Sequence, residues 1–336
     1  MDPYRRAGVD LDAAARAVHL IRDIADSARG PEVIEGVGGF AGLYRLGGGR
    51  LLAAAADGVG TKVEIARRAG RLDTVGIDLV AMSANDVLCT GAEPLFFLDY
   101  VAVERLVPDD VAALVAGVAE GCRRAGCALL GGETAEHAGH LAPGRFDLAG
   151  FCVGIVNQDR LLGRHRVGEG DVLLGLASTG LHANGFTLVR RVLDDSGIPL
   201  DAAPDGLSRP LAEELLEPTA IYVRPVLEAL GRGAVHAVAH ITGGGLVENL
   251  PRVLPEGLGA ELRPGTWDVP PVFGLVQRLA GASEEEMRRV FNLGVGMVVV
   301  APPERHEDAA AALRAGGAGV SVVGRVVRGA GVRFVE

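Results

Sequence analysis

The chain has 336 residues and a mass of 34.7 kDa, with 49% hydrophobic and 23% charged residues and a net charge of −10. That length suits about two domains, and the apolar content excludes a disordered chain. The acidic balance argues against a general nucleic-acid or membrane-surface binder. No apolar run is long enough to span a bilayer, and Met1-Asp2-Pro3-Tyr4-Arg5-Arg6 is not followed by a signal-peptide core, so a cytoplasmic location is expected. Cys89, Cys122, Cys127 and Cys152 show no CxxC spacing and are expected to be reduced, mostly buried thiols.

Residues 1–30 read as a polar arm and a short amphipathic helix, with Leu11, Ala14, Ala15, Val18, Ile21 and Ile24 near helical spacing. Gly36–Gly42 is a glycine loop, and Leu51–Ala56 a short apolar strand. A helix is predicted from the end of Asp57-Gly-Val-Gly-Thr-Lys62 to Ala69, stopped by Gly70. A second runs from near Asp78 to Leu88. Leu95–Val103 reads as a strand, Pro108 to Gly126 as a helix, and Cys127–Leu130 and Leu148–Val156 as strands. The polar stretch Asn157–Gly170 marks the expected domain boundary.

The second half restarts with a strand at Val172–Ala177, a helix at Asn184–Leu193 and a longer helical region at Leu211–Leu230. Val235–Ile241 is a strand leading into Thr242-Gly-Gly-Gly245 and a helix, Leu246–Leu254. Val295–Ala301, Val320–Val327 and Val332–Val335 are strands, with a helix at Arg305–Leu313. The fold class is therefore α/β, in two units of similar size.

Several of these punctuation points carry chemistry. Lys62 is the one lysine among 33 basic residues, which marks a place where a compact ammonium is needed and a guanidinium does not serve. In Asp57–Lys62 the glycines allow backbone N–H groups to approach an anion at a helix N-terminus, Lys62 can pair with phosphate, and Asp57 can hold Mg²⁺. The segment matches neither a Walker A loop nor a dinucleotide fingerprint, and a tight turn capped by Thr61 is the structural alternative.

Asp86 sits in an apolar helix, where a carboxylate is costly unless paired or on a cation. Glu133 follows Gly131-Gly132 at a strand end and repeats the Asp57 pattern. Carboxylates that converge coexist ionised only around a cation, and Mg²⁺ carrying nucleotide phosphate is the economical one. His137 and His140 read as loop histidines. His182 and Asn184, flanked by glycines, suit polar contacts to substrate, His182 being able to move a proton near neutral pH; Thr179 or Asn184 as a helix cap is the alternative. Thr242–Gly245 is a candidate phosphate-ester turn.

These motifs, in this order, resemble the phosphoribosylformylglycinamidine cyclo-ligase (AIR synthetase) family. The match is carried by Tyr4-x3-Gly8-Val9-Asp10, Gly38-Gly39-Phe40, Asp57–Lys62, Gly76–Met82, Asn85-Asp86, Gly91–Tyr100, Gly131–Glu136, Ala149–Gly154, His182–Gly185, His240–Gly245 and Phe291–Met297. The resemblance implies an N-terminal ATP-binding and dimerisation domain over residues 1–165 and a C-terminal domain over 170–336, with mixed sheets and a homodimer built through N-domain strands. It implies ATP and Mg²⁺ as cofactors, formylglycinamidine ribonucleotide as substrate, and no nucleic-acid or membrane partner.

By the same resemblance Asp57, Asp86 and Glu133 form the metal–phosphate cluster, and Asp86, His182, Asn184 and Lys62 are the catalytic residues. Gly38, Gly39, Phe40, Gly58, Gly60, Thr61, Lys62, Gly132, Thr242, Gly243, Gly244 and Gly245 contact nucleotide or phosphate, the last three as the ribose 5-phosphate turn. Arg22 stands where family members often carry lysine. Two other readings are a related kinase on the same ATP cluster and a nucleotide-binding module without turnover. The first, as a selenophosphate synthetase, would need a reactive cysteine that residues 1–40 lack; the complete set of acidic residues argues against the second.

Overall fold

The computed structural model describes residues 11–335; the Tyr4 and Gly8–Asp10 motif lies outside them. An N-terminal helix, α1 (Leu11–Asp26), precedes β1 (Val33–Glu35), β2 (Gly42–Gly47) and β3 (Arg50–Gly58). Helices α2 (Lys62–Ala69) and α3 (Val75–Leu88) follow, then β4 (Glu93–Val103), α4 (Pro108–Ala125), β5 (Ala128–Glu136) and β6 (Phe146–Asn157). The six strands form one sheet in the order β1-β2-β3-β6-β4-β5, antiparallel except for the β4–β5 pair.

One face of this sheet is covered by α3, whose residues are all buried except Asp86. Helix α4 packs on α3 backbone to backbone. A β-carbon on Gly76 would stand 2.3 Å from the Val118 nitrogen, and one on Gly117 2.2 Å from the Asp73 oxygen, so glycine is required at both. The opposite face of the sheet carries apolar side chains in the open: Tyr44, Leu98, Tyr100 and Phe151 lie on it, with Tyr44, Tyr100 and Phe151 exposed.

The second half contains β7 (Val172–Ala177), α5 (Phe186–Ser196), α6 (Leu211–Leu215), α7 (Val223–Gly231), β8 (Ala237–His240), α8 (Gly245–Asn249) and β9 (Leu258–Leu262). Helices α9 (Pro271–Ala280) and α10 (Glu284–Val290) precede β10 (Val295–Ala301), α11 (His306–Ala315), β11 (Val320–Arg328) and β12 (Val332–Phe334). Its sheet has the order β12-β9-β11-β7-β10-β8. β10 is buried along its whole length because strands pair on both sides and side chains pack on both faces.

The structure departs from the sequence reading in particular places. Gly131-Gly132-Glu133 lies inside β5 rather than in a loop after it. The region Leu211–Leu230 is two short helices, since the segment between α6 and α7 contains Pro218 and supplies backbone groups to the first half. The helix expected over Leu246–Leu254 is the five-residue α8 followed by a 3₁₀ turn containing Pro251.

Candidate functional site

The two halves meet along α3, and the polar residues of that otherwise apolar helix face the seam. Asp86 Oδ1 lies 2.9 Å from His240 Nδ1 at the end of β8. The His240 side chain is fully buried, whereas Asp86 retains 18% exposure. Asn85 reaches the same seam, where its amide nitrogen donates to the Ala220 carbonyl at 2.9 Å and its oxygen accepts the Tyr222 N–H at 3.0 Å. Asp57, at the end of β3, accepts the neighbouring Gly58 N–H, at 2.7 Å. Burial, against the Gly58 hydrogen bond and with a smaller push from the negative charge of Asp86, holds its carboxyl up at about 6. Asp57, Asp86 and His240 thus share one electrostatic neighbourhood. Excess negative charge held out of water is the condition a divalent cation relieves.

Immediately after His240 comes the glycine turn Thr242–Gly245. Asn249 fixes it from inside, its amide nitrogen donating to the carbonyls of Gly243 at 3.0 Å and Gly245 at 2.9 Å. Asn184 approaches from the other wall, its Nδ2 lying 4.0 Å from where a β-carbon on Gly243 would stand. Arg252 joins this turn to the first half. Its Nη1 donates to Asn249 Oδ1 at 3.3 Å and its Nη2 to the Gly39 carbonyl at 2.6 Å, and its guanidinium lies 3.8 Å over the Phe40 ring. The Gly38-Gly39-Phe40 loop and the Gly243–Gly245 turn are therefore parts of one wall. A cavity of about 290 Å³ opens beside it, lined by Glu35, Gly39, Phe40, Cys89, His165 and Arg252, among others.

Lys62 and His182 are placed differently from expectation. The Lys62 side chain is fully buried, with Nζ 2.9 Å from both oxygens of Asp78, 3.0 Å from the His182 carbonyl and 2.8 Å from the Glu217 carbonyl. Its three N–H groups are committed inside the protein, so it is a staple between the halves and presents no charge to a phosphate. Burial pulls the ammonium down and the Asp78 carboxyl up, each opposed by the other's charge.

His182 is also buried, in a left-handed conformation (φ 61°). Its Nε2 accepts N–H bonds from Thr179 at 3.2 Å and Ala220 at 3.4 Å, and desolvation holds the ring well below its ordinary pKa. A neutral imidazole with its acceptor nitrogen occupied is a loop brace rather than an acid or base for substrate.

Glu133 is not with the other carboxylates. Asp57 shares a cross-strand row with Gly150, Asp99 and Gly132, whereas Glu133 sits in the next row, with Gly58, Ala149 and Tyr100. Its side chain therefore projects from the open face of the sheet, opposite to Asp57 and three strands away, roughly 14 Å at ~4.8 Å per strand. Among the described residues no three acidic, imidazole or thiol side chains are arranged to hold a metal ion. Gly132 adjoins Asp99 on the edge strand β5. Gly60 takes the left-handed turn before α2, and Thr61, expected as a possible cap, makes no cap bond; its hydroxyl lies 3.2 Å from that of Thr187. His137 bonds the Tyr100 hydroxyl at 2.9 Å, beside His140.

Three residues of this site, His240, Asn249 and Arg252, were not singled out from sequence. His240 stood inside a quoted motif, but nothing in its spacing connects it to Asp86, 154 positions earlier.

Comparison with known proteins assigns a family to each half of the chain. Residues 38–156 match the AIR synthase related protein N-terminal domain, and residues 168–335 its C-terminal domain. A phosphoribosylformylglycinamidine cyclo-ligase of Bacillus mycoides (strain KBAB4) is 46% identical over 338 residues, covering 99% of this chain and 98% of the relative. One of Bacillus thuringiensis (strain Al Hakam) is 47% identical over 336 residues, covering 98% of this chain and 97% of the relative. The crystal structure of thiamine-monophosphate kinase from Stenotrophomonas maltophilia K279a shares the fold with a TM-score of 0.65 at 19% identity, covering 94% of this chain and 95% of that one. With both domains matched and nearly half the residues identical from end to end, the chain belongs to the phosphoribosylformylglycinamidine cyclo-ligase family of AIR synthase related proteins.

Proposed function

We propose that this protein closes the imidazole ring of 5-aminoimidazole ribonucleotide from formylglycinamidine ribonucleotide, consuming ATP and releasing ADP and phosphate, as a step of de novo purine biosynthesis. The observation that carries the reading is the end-to-end kinship with cyclo-ligases, joined to a seam where an acidic pair, a buried histidine and a glycine turn meet. A formamide oxygen is a poor leaving group. Transfer of the γ-phosphoryl group to it forms an O–P bond and frees ADP. The amidine nitrogen then attacks the same carbon, the C–O bond breaks, phosphate leaves with its oxygen, and a proton is lost. Catalysis of such a sequence rests on positioning and on neutralising phosphoryl charge.

Asp57 and Asp86 fit Mg²⁺, since one or two carboxylates plus substrate phosphate oxygens are its usual protein ligands; bound there, the ion would neutralise phosphoryl charge. Glu133 projects from the open apolar face of the first sheet, away from Asp57 and Asp86, and that face supports a homodimer. His240 orients Asp86. Asn184 and the Gly243–Gly245 turn face the space where the ribonucleotide would lie, and Gly38–Phe40, held by Arg252, form its rim. Lys62 and His182 set the position of the 178–185 loop that carries Asn184. The assay is purified protein with formylglycinamidine ribonucleotide, ATP and Mg²⁺, following aminoimidazole product and phosphate. Folded protein that forms neither would overturn the assignment; phosphate without aminoimidazole would favour a kinase.

A further inference from the structure

Away from the seam, three of the four cysteines lie together at the corner between α4 and β5. Helix α4 ends in a left-handed Gly126 (φ 70°), whose N–H donates to the Arg123 carbonyl, while the Cys127 N–H donates to the Cys122 carbonyl at 3.0 Å. This pair of bonds is the Schellman ending, which frequently carries a contact between the side chains of the third residue from the helix end and the second residue beyond it. Those two residues here are Cys122 and Cys127. The third thiol, Cys152, comes from the covered face of β6, opposite Phe97. Cys122 and Cys152 are the thiols that neighbour and lower the Cys127 thiol. Cys122 and Cys152 are buried, and Cys127 is partly open to solvent.

We propose that Cys127 is a peroxide-reactive thiol that closes a reversible disulfide with Cys122. The neighbouring Cys122 and Cys152 thiols hold Cys127 below the ordinary thiol range and are themselves held above it. The thiolate attacks a hydroperoxide oxygen: an S–O bond forms, the O–O bond breaks, and hydroxide leaves to become water. The Cys122 sulfur then attacks the sulfenic sulfur: an S–S bond forms, the S–O bond breaks, and the departing hydroxide takes the Cys122 proton. Two thiols are oxidised to one disulfide, and one peroxide is reduced to two waters. A disulfide requires its two residues to lie close together, and the hydrogen bond from the Cys127 N–H to the Cys122 carbonyl joins their backbones at 3.0 Å. None of these residues touches Asp57, Asp86, His240 or the glycine turn, so turnover is not needed to observe the reaction.

The test treats the full-length protein with a small molar excess of hydrogen peroxide, then counts thiols under denaturing conditions and maps peptides without reduction. The expected result is a fall from four free thiols to two, a Cys122–Cys127 linkage within one chain, and full recovery with dithiothreitol. Cys127→Ser should keep all its thiols under the same treatment, and Cys122→Ser should leave a sulfenic acid on Cys127 that dimedone traps. Unchanged thiol count in folded wild-type protein overturns the proposal, as does a linkage through Cys152 or Cys89 or between chains.

Discussion

Asp86 and His240 come from different halves of the chain, one on a helix under the first sheet and one at the end of a strand of the second, and their side chains meet at 2.9 Å. The contact makes the site a property of the assembled pair of domains. Asp86→Asn retains a neutral partner for His240 but removes the charge. We expect turnover to fall by about two orders of magnitude or more, the range associated with losing electrostatic stabilisation of a transferring group, with an unchanged circular dichroism spectrum. Steady-state phosphate release checks this, and a folded variant at near wild-type rate removes Asp86 from the mechanism.

Lys62 tests a different kind of contribution. Lys62→Met strips Asp78 of its ion pair while leaving the carboxylate buried, which costs roughly 3–5 kcal/mol in comparable cases. The Thr219 N–H and hydroxyl, 2.8 and 2.6 Å from Asp78 Oδ1, soften the loss. Lys62→Arg keeps the charge, but a planar fork cannot reach Asp78 and the two carbonyls as a compact ammonium does, so a smaller destabilisation is expected. Urea unfolding midpoints separate the two. A Lys62→Met variant as stable as wild type would mean that the staple is dispensable.

The Asp57 carboxyl gives a pH signature. Its pKa is about 6 in the folded protein against 3.8 for the unperturbed group, so between those values the native state binds more protons than the unfolded one. Stability contributed by this group therefore falls as pH rises from about 4 to about 6 and levels off above, by up to about 3 kcal/mol. Asp57→Asn should remove that slope and be relatively more stabilising at neutral pH. A cation at the site favours the ionised carboxylate, so Mg²⁺ affinity in the wild type should strengthen as pH rises through 6. Paired denaturation curves at acidic and neutral pH measure the first effect and calorimetric titration the second. Parallel pH profiles for the two proteins would show that Asp57 titrates normally.

Much of the fold was legible because its punctuation is local. Gly70 and Gly126 stop their helices in the left-handed conformation that glycine favours, and Pro108 opens α4 in its first turn. Asp57 and Asp86 also stood out, as carboxylates in apolar settings. The roles of Lys62 and His182 were not legible, because a residue scarce in composition or rich in chemistry looks the same whether it faces ligand or a carbonyl 155 residues away. Glu133 shows the same limit in a sheet: an extension of β5 by a few residues turned an expected loop carboxylate onto the face opposite Asp57. His240 and Arg252 act through contacts 154 and 213 positions distant in sequence, beyond any local pattern.

That displaced carboxylate leads to the last prediction. The open face of the first sheet places Tyr100 in the row that carries Glu133 and Phe151 two residues along β6 from it, 40% and 41% exposed. Large aromatic groups on an uncovered sheet face mark an association surface, and a second copy laid on it would cover the Glu133 carboxylate that projects from the same face. Phe151→Arg puts a charge in the middle of that face while leaving Asp57, Asp86 and His240 untouched. We expect light scattering to give half the wild-type mass and turnover to fall with it, and Glu133→Gln to lower turnover in a protein that still dimerises. A Phe151→Arg monomer with full activity would confine the working site to one chain and leave Glu133 without a catalytic part, because nothing within that chain brings it back across the sheet to Asp57.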